Sequence, residues 1–236
     1  MRIWAVVPAA GRGLRFGAAL PKQYLPLAGA TVLAHTLRRL DDLGGLGIAI
    51  GLAPGDPHWA ACRPPLATPL IPFEGGALRA VTVLNGLVAL REKARPDDLV
   101  FVHDAARPCV RRADLERLQM IAASAADGAL LARPVADTIK REGTKGLVLD
   151  TVDRRGLWLA QTPQVFAYAR LYEALSRALA DGALVTDEAS AIEYLGGKPQ
   201  LVTGSPDNIK ITLPEDLALA ELYLTRKELY GGMVCE

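Results

Sequence analysis

Near its amino terminus the chain combines glycines with positively charged side chains, a combination that suits the binding of a polyphosphate. The loop Pro8–Arg15 follows the apolar run Ile3–Val7, which is typical of a buried strand. Small residues let the backbone of this loop approach a ligand, and their N–H groups can face an anion. Permanent positive charge stands beside them at Arg12, Arg15 and Lys22. We therefore expect a phosphate site where the first strand ends, since open α/β sheets bind ligands there.

The loop differs from the two commoner phosphate-binding motifs. Its glycines, Gly11, Gly13 and Gly17, are spaced one residue too widely at the end for the G-x-G-x-x-G fingerprint of dinucleotide-binding proteins. Lys22 follows a proline and precedes a glutamine, so the Gly-Lys-Ser/Thr of a P-loop is absent. A surface turn with solvated basic residues is the alternative interpretation. The strand directly before the loop favours a binding site.

Several short motifs in chain order make the sequence similar to one family of nucleotidyltransferases. The loop A-A-G-x-G-x-R with the following P-K-Q-Y resembles the signature of enzymes that attach a nucleotide to a small phosphorylated alcohol. Further motifs begin at Val102, Asp137, Thr162, Thr186 and Asn208: V-H-D-A-A-R-P, D-T-I-K, T-P-Q, T-D-E-A-S and N-I-K-I-T. Together they resemble the 2-C-methyl-D-erythritol 4-phosphate cytidylyltransferase family of the non-mevalonate isoprenoid pathway. The resemblance spans residues 3 to about 224.

The resemblance implies transfer of a cytidylyl group from CTP to 2-C-methyl-D-erythritol 4-phosphate, giving 4-diphosphocytidyl-2-C-methyl-D-erythritol and pyrophosphate. The nucleophile would be an oxygen of the acceptor's own phosphate, which is already ionised at neutral pH. Such a site needs no serine, cysteine or general base. It must bring two anions together and stabilise charge on the α-phosphorus and the leaving pyrophosphate. The implied cofactor is Mg²⁺, bound mainly through the CTP phosphates.

Two other functions stay open at this point. A cytidylyltransferase for another alditol phosphate, such as ribitol 5-phosphate, is the first. The P-A-A-G of the loop favours methylerythritol phosphate, because the ribitol phosphate group tends to have A-G-G there. A non-catalytic nucleotide-binding or scaffold protein is the second. The joint presence of Arg15, Lys22 and Lys210 argues against it.

The same resemblance assigns roles residue by residue. As catalytic residues it implies four basic side chains, Arg15, Lys22, Arg154 and Lys210. As contacts to CTP it implies mostly small or polar residues, Ala9, Ala10, Gly11, Gly13, Gly76, Thr82 and Asp104. As contacts to the acceptor it implies polar residues from several motifs, Asp104, Arg107, Thr138, Arg154, Thr162 and Thr186. It implies no residue as a direct metal ligand.

Several of these residues also have purely structural interpretations. Lys210 lies on a segment that we predict to be β-like, where an exposed edge lysine would discourage aggregation. Asp104 and Arg107 are three residues apart and would form an ordinary ion pair. Thr186 is predicted to cap a helix. Ala77 stands where some family members carry a polar residue, which leaves the strictness of cytosine selection open.

The elements that must position these residues alternate between strands and helices. Apolar runs predict strands at 3–7, 48–50, 70–73, 99–102 and 129–132. Amphipathic runs predict helices that begin near residues 31, 78, 115, 168, 186 and 214. This alternation predicts an α/β fold, a Rossmann-like and mostly parallel sheet with helices on both faces.

The ends and faces of three helices have particular predictions. Thr31 is expected to cap the first helix, with Leu33, Leu37 and Leu40 on one face. The helix over 78–91 is expected to pack on two faces, through one set of apolar residues at 81, 84 and 88 and another at 83, 87 and 90. The last helix is expected to begin near Pro214, because Thr212 and Glu215 have capping-box spacing.

The alternation is interrupted over residues 135–156. Val135–Arg141 and Leu147–Asp153 are strand-like and joined by a glycine-containing loop, which predicts a β-hairpin. A mobile surface flap is one interpretation, since an isolated hairpin is marginally stable in water. The resemblance implies instead a protruding arm that interlocks two subunits of a homodimer and carries Thr138 and Arg154 to the partner's site. We expect one nucleotidyltransferase domain over residues 1–236 with this arm inserted in it.

Composition excludes several classes of function. The net charge is +1, from 27 basic and 26 acidic residues, which argues against a nucleic-acid-binding surface or a polybasic membrane patch. Three widely spaced cysteines, Cys62, Cys109 and Cys235, predict reduced thiols and a cytoplasmic protein. No apolar run approaches the length of a membrane span or forms a signal peptide.

Overall fold

A computed structural model describes residues 2–11 and 20–226 of the chain. Within these ranges the strands are β1 (Ile3–Pro8), β2 (Pro26–Leu27), β3 (Ala30–Thr31), β4 (Gly47–Leu52), β5 (Leu70–Glu74), β6 (Leu99–Val102), β7 (Ala129–Pro134), β8 (Ile139–Glu142), β9 (Val148–Val152), β10 (Trp158–Ala167) and β11 (Gln200–Thr203). The helices are α1 (Val32–Asp41), α2 (Trp59–Cys62), α3 (Arg79–Ala89), α4 (Arg112–Ala122), α5 (Tyr168–Ala180), α6 (Glu188–Tyr194) and α7 (Glu215–Thr225).

Seven strands form the central sheet in the order β11-β7-β10-β6-β1-β4-β5. Six of them run parallel, and β10 runs antiparallel between β6 and β7. The prediction of a mostly parallel α/β sheet is therefore confirmed. All five strands predicted from apolar runs belong to this sheet, because both faces of a parallel sheet are covered and its strands are apolar throughout.

Helices cover both faces of the sheet and divide the core into two layers. Ile3, Ala5 and Val7 of β1 pack in the layer that contains α1 and α4. Trp4 and Val6 of the same strand pack in the layer that contains α3, α5 and α6. Successive side chains of a strand point to opposite faces, so this one strand supports both layers.

Two strands of the sheet were not predicted, and one helix is less buried than predicted. β10 contains buried polar residues and no continuous apolar run, while β11 has only four residues, of which three are exposed. In α3, Val83 and Leu87 are fully buried, but Val88 is 45% exposed. The second predicted face of α3 is therefore only partly buried: Leu84 packs against the core, but Val88 is exposed.

The caps of α1 and α6 can be compared with their predictions. Thr31 caps α1 as predicted, since its hydroxyl accepts a hydrogen bond from Ala34 N at 3.1 Å. The cap of α6 is Asp187 and not Thr186, so that prediction is wrong by one residue. Asp187 Oδ1 accepts a hydrogen bond from Ser190 N at 2.9 Å. A carboxylate at this position also interacts favourably with the positive end of the helix dipole.

The segment that leads into α7 also differs from its prediction. Thr212 and Glu215 do not form a capping box; Asp216 Oδ2 instead accepts hydrogen bonds from the backbone N–H groups of Thr212 at 2.7 Å and Leu213 at 2.8 Å. Lys210 lies outside any strand, so the predicted β-like segment is wrong. The segment is held by these side-chain hydrogen bonds and by one backbone bond, from Ile211 N to Ala106 O at 2.9 Å, in place of sheet pairing.

The hairpin of β8 and β9 is confirmed, with shorter limbs than predicted. Ile139 pairs with Val152, and the two strands form a separate antiparallel sheet. The apolar side chains at its tip, Leu147, Val148 and Leu149, are 67%, 62% and 65% exposed. The hairpin therefore carries an apolar surface that the described residues of its own chain leave uncovered.

No helix of the described residues is long and apolar enough to cross a membrane.

The packing of β10 on the start of β7 predicts a position where no side chain fits. Gly128 has a φ of +75°, and a Cβ there would overlap the ring of Phe166 and the carbonyl oxygen of Val165. Gly146 at the hairpin tip has a φ of +73° but no atom within 4 Å of such a Cβ. We expect Gly128→Ala to lower the free energy of unfolding by about 3 kcal/mol, and Gly146→Ala by about 1 kcal/mol from backbone strain alone. Urea unfolding measures both, and equal losses would contradict the packing argument.

Candidate active site

Loops after four parallel strands meet at one edge of the sheet. The loops that follow β1, β4, β5 and β6 border a cavity of about 830 Å³. It brings together several predicted site residues, Ala9, Ala10, Gly11, Lys22, Gly76, Thr82, Asp104 and Lys210. Gly13 and Arg15, the other two predicted residues of the glycine loop, lie outside the described residues. The carboxyl ends of parallel strands thus converge on one site, as the sequence predicts.

Gln23 holds residues 9–11 of the glycine loop in place through their carbonyl oxygens. Its side-chain nitrogen donates hydrogen bonds to the carbonyl oxygens of Ala9 at 2.8 Å and Gly11 at 3.1 Å. Ala9 N donates to Gly51 O at 2.8 Å, which ties the loop to β4 as well. The carbonyl oxygens of Ala9 and Gly11 are thus bound on the protein side, which holds residues 9–11 of the loop beside the cavity.

The second glycine turn packs directly on the first loop. A Cβ at Gly75 would overlap Ala10, and one at Gly76 would overlap Val81. Thr82 is buried, and its hydroxyl accepts a hydrogen bond from Gly76 N at 3.0 Å. Gly76 is therefore small because of protein packing, and Thr82 shapes the turn. Direct contacts of these two residues with cytosine stay a prediction.

Lys22 connects the first loop to the segment that carries Lys210. It begins a single 3₁₀ turn over Lys22–Tyr24, and its Nζ donates a hydrogen bond to Ile211 O at 2.8 Å. Lys22 and Lys210 both line the larger cavity. Two lysines from opposite ends of the chain thus face one space.

Asp104 follows β6 and lies among three cations. Its Oδ1 is 2.9 Å from Arg79 Nε, and its Oδ2 is 2.9 Å from Lys210 Nζ and 3.5 Å from Arg107 Nε. Burial alone would raise the pKa of this carboxyl, but Arg79, Lys210 and Arg107 outweigh it and hold the pKa far below the usual range. The predicted Asp104–Arg107 pair is present as part of a larger cluster.

Arg79 joins this cluster to a second buried carboxylate. Its two terminal nitrogens donate to Glu188 Oε1 at 2.7 Å and Oε2 at 3.1 Å. Burial raises the pKa of Glu188, and the Arg79 guanidinium opposes that rise. The five residues Arg79, Asp104, Arg107, Glu188 and Lys210 hold three positive and two negative charges. The cluster therefore keeps one net positive charge, which suits an anionic ligand.

A smaller cavity of about 220 Å³ lies next to the larger one. Arg79, Asp104 and Lys210 line both cavities. The smaller cavity is also lined by three of the predicted acceptor contacts, Arg107, Thr162 and Thr186. Two neighbouring spaces with a shared charged boundary can hold two anions side by side.

The sequence matches one protein family over most of its length. A model of the 2-C-methyl-D-erythritol 4-phosphate cytidylyltransferase family matches residues 3–226. The chain belongs to this family. A relative of that name from Xanthomonas euvesicatoria pv. vesicatoria (strain 85-10) is 50% identical over 228 residues, which are 96% of this chain and 86% of the relative.

Solved structures of the family share the fold. The 2-C-methyl-D-erythritol 4-phosphate cytidylyltransferase of Francisella tularensis is 34% identical, with a TM-score of 0.82 over 94% of this chain and 100% of that one. The enzyme from Thermus thermophilus is also 34% identical, with a TM-score of 0.77 over 94% of this chain and 98% of that one. The comparisons confirm the family and the fold that the motifs predicted.

In this cytidylyltransferase, His103 organises the backbone next to Asp104. His103 Nε2 lies 3.0 Å from Arg107 O, and since a carbonyl only accepts, that nitrogen carries the hydrogen. The bare Nδ1 then accepts from the Thr162 hydroxyl at 2.9 Å, and Thr162 Oγ1 accepts from Asp104 N at 3.0 Å. Thr162 thus donates its one hydroxyl hydrogen to His103 and has none left to donate to a ligand. A direct contact of Thr162 with the acceptor stays a prediction.

Arg107 joins the two segments that carry Asp104 and Lys210. Its Nη1 donates to Asn208 O at 2.7 Å, and Asn208 Nδ2 donates to Thr162 O at 2.8 Å. These bonds cross between distant parts of the chain and fix Lys210 without a strand.

Two predicted site residues lie outside both cavities. Thr138 and Arg154 lie on the hairpin, and both are exposed. Arg154 donates a hydrogen bond to the carbonyl of Ala136 at the base of the hairpin. Neither residue is among those that line the larger or the smaller cavity. Their predicted roles would require a second subunit.

Three residues of the site, Gln23, Arg79 and Glu188, were given no role from the sequence. Gln23 and Glu188 lie within the motifs P-K-Q-Y and T-D-E-A-S, and Arg79 lies between the predicted CTP contacts Gly76 and Thr82. These positions were the only indication in the sequence that the three residues belong to the site. The partnership of Arg79 with Glu188 joins residues 109 positions apart, a distance that no local pattern can show.

The neutral state of buried His103 makes the enzyme's stability depend on pH. Burial lowers the pKa of His103 to about 4. The unfolded chain binds this proton below its ordinary pKa of about 6.5, so the contribution is complete above that pH and is lost as pH falls toward 4.

His103 makes the wild-type free energy of unfolding about 2 kcal/mol larger at pH 8 than at pH 5. We expect His103→Asn to abolish this part of the pH dependence. Urea unfolding of wild type and variant at both pH values measures the difference, which is independent of the variant's overall loss of stability. Parallel pH profiles for the two proteins would show that His103 is not held neutral by folding.

Proposed function

We propose that the chain transfers the cytidylyl group of CTP to 2-C-methyl-D-erythritol 4-phosphate, with CTP in the larger cavity and the acceptor in the smaller one. The observation that carries this assignment is the shared boundary of Arg79, Asp104 and Lys210. The α-phosphate of one substrate and the phosphate of the other must meet, and only at such a boundary can they do so. Family membership over residues 3–226 supports the same reaction.

The proposed chemistry is an in-line displacement on the α-phosphorus. A phosphate oxygen of the acceptor forms the new bond to phosphorus, and the bond to the bridging oxygen of pyrophosphate breaks. No proton needs to be removed from the nucleophile. Lys22 and Lys210 would stabilise the developing charge, since preorganised charged donors are worth most in a site that excludes water.

Magnesium fits this site as a partner of the substrate. Among the described residues there is no group of three or more His, Cys, Asp or Glu that could hold a metal ion. Asp104 lines both cavities, but both of its oxygens already face cations. This donor set suits Mg²⁺ that arrives with the triphosphate, and Asp104 is a carboxylate that lines both cavities. When bound, the ion would neutralise part of the phosphate charge.

The hairpin supports a proposal about assembly. We propose a homodimer in which the hairpin of each chain reaches its partner and Thr138 and Arg154 complete the partner's acceptor site. Support comes from the exposed apolar tip at Leu147–Leu149 and from the position of both polar residues outside their own cavities. We further propose one domain with this arm inserted, in a cytoplasmic enzyme.

Ribitol 5-phosphate is the alternative acceptor. The family match disfavours it, because the matching model and the 50% identical relative are both named for methylerythritol phosphate. A direct assay separates the two acceptors.

Pyrophosphate release tests the reaction. We expect release with CTP and 2-C-methyl-D-erythritol 4-phosphate in the presence of Mg²⁺, and at least about tenfold less with UTP, ATP or GTP, since an unmatched buried polar group costs about 1–3 kcal/mol. Lys22→Met should lower kcat by about 10²–10³ while the protein stays folded. Lys93→Met, at an exposed position, is the matched control. Preferred turnover of ribitol 5-phosphate, or a normal kcat in Lys22→Met, would contradict the assignment.

Mixed dimers test the arm. Lys22→Met and Arg154→Ala should each be nearly inactive alone. After joint unfolding and refolding in equal amounts, half of the dimers should be mixed. In each mixed dimer one site carries both changes and the other carries neither, so activity should recover to about a quarter of wild type. If Arg154 served its own chain, every site would carry one change, and activity would stay low although mass spectrometry shows mixed dimers.

A further inference from the structure

Glu188 is a buried charge with no direct access to either cavity. It begins α6, its side chain is 0% exposed, and it lines neither cavity. A buried carboxylate is strongly unfavourable unless it is paired and hydrogen-bonded. Both of its oxygens accept hydrogen bonds from Arg79, at 2.7 Å and 3.1 Å. This two-point contact fixes the orientation of the guanidinium as well as its position.

The fixed guanidinium in turn fixes Asp104. The group is planar, so the direction of Nε is set once Glu188 holds both terminal nitrogens. Arg79 Nε donates to Asp104 Oδ1 at 2.9 Å. The other oxygen, Oδ2, lies 2.9 Å from Lys210 Nζ. A chain of four charges thus runs from the protein interior to the boundary of the two cavities.

The inner end of this chain is itself anchored. Gln164 Nε2, on β10, donates to Asp187 Oδ2 at 2.8 Å, and Gln164 Oε1 accepts from Ala189 N at 2.8 Å. These bonds hold the residues on either side of Glu188 against the sheet. Glu188 is therefore a fixed point from which the other three charges are aligned.

We infer that Glu188 and Arg79 are positioning residues for the transfer reaction: the buried carboxylate aligns Arg79, and Arg79 aligns Asp104 and Lys210 between the two substrates. The inference rests on the proposed function, because turnover is its readout. The inference gives Arg79 a role that is set by its two carboxylate partners. It also gives Glu188 a role in a site whose two cavities it does not line.

Glu188→Gln tests the inference, because it keeps the shape of the side chain and removes its charge. We expect kcat to fall about 10–100-fold, since small misplacement of groups around a reacting centre has effects of this size. The KM for CTP should change less than about threefold, because Asp104 is the only predicted CTP contact that depends on Glu188 and the glycine loop and Lys22 are untouched. Glu193→Gln, at an exposed position of the same helix, should leave both constants unchanged.

A double-mutant cycle separates this role from a merely structural one. If Glu188 acts through Arg79, Glu188→Gln combined with Arg79→Gln should lose no more kcat/KM than Arg79→Gln alone. Independent contributions would multiply, and that result would overturn the inference. A wild-type kcat in Glu188→Gln would overturn it as well.

Two further arms keep the outcome decisive. If Glu188→Gln does not fold, Arg79→Lys takes its place, because lysine keeps the charge but cannot contact two carboxylates in a fixed plane. We expect a similar loss of kcat, and a normal kcat would overturn the inference. Failure of the proposed function would show separately, as absence of pyrophosphate release by the wild-type enzyme.

Discussion

The ion cluster around Asp104 is the interaction on which the site depends. Asp104 lies in the loop after β6, and its three partners come from α3, from the same loop and from the segment before α7. A buried carboxylate that lost these cations would be strongly unfavourable, so the cluster holds three separate parts of the chain together. It also leaves one net positive charge at the point where, in the proposed reaction, two anionic substrates meet. The same ion pairs therefore hold these parts of the chain together and set the charge of the site.

The sheet provides the frame within which that cluster can form. Parallel strands place the loops after β1, β4, β5 and β6 at one edge, so residues far apart in sequence share a cavity. The antiparallel β10 adds something that a parallel strand would not. It carries Thr162 and Gln164 past the same edge, where they bind the backbone of Asp104 and the start of α6. This one antiparallel strand thus links the loops around the larger cavity to the lining of the smaller cavity.

Local patterns predicted the fold well, and long-range contacts set the limit of prediction. β1 and α1 follow from apolar periodicity and a capping threonine, both readable within about ten residues. β10 was missed because its buried residues are partly polar and satisfied by distant partners. The motifs placed Lys22, Asp104 and Lys210 correctly at one cavity. They could not show that Arg79 pairs with Glu188, because an ion pair across the fold leaves no periodic trace in the sequence.

The shared boundary of the two cavities has a thermodynamic consequence. Arg79, Asp104 and Lys210 face both spaces, so the same positive potential acts on whichever substrate arrives first. Once one anion has partly neutralised that potential, less of it remains for the second. With the substrates placed as proposed, occupancy of one cavity would weaken binding in the other, and by linkage the effect would be equal in both directions. In the proposed reaction, a divalent cation carried by the nucleotide would reduce this antagonism, so the coupling between the two ligands would depend on ionic strength and on free metal concentration.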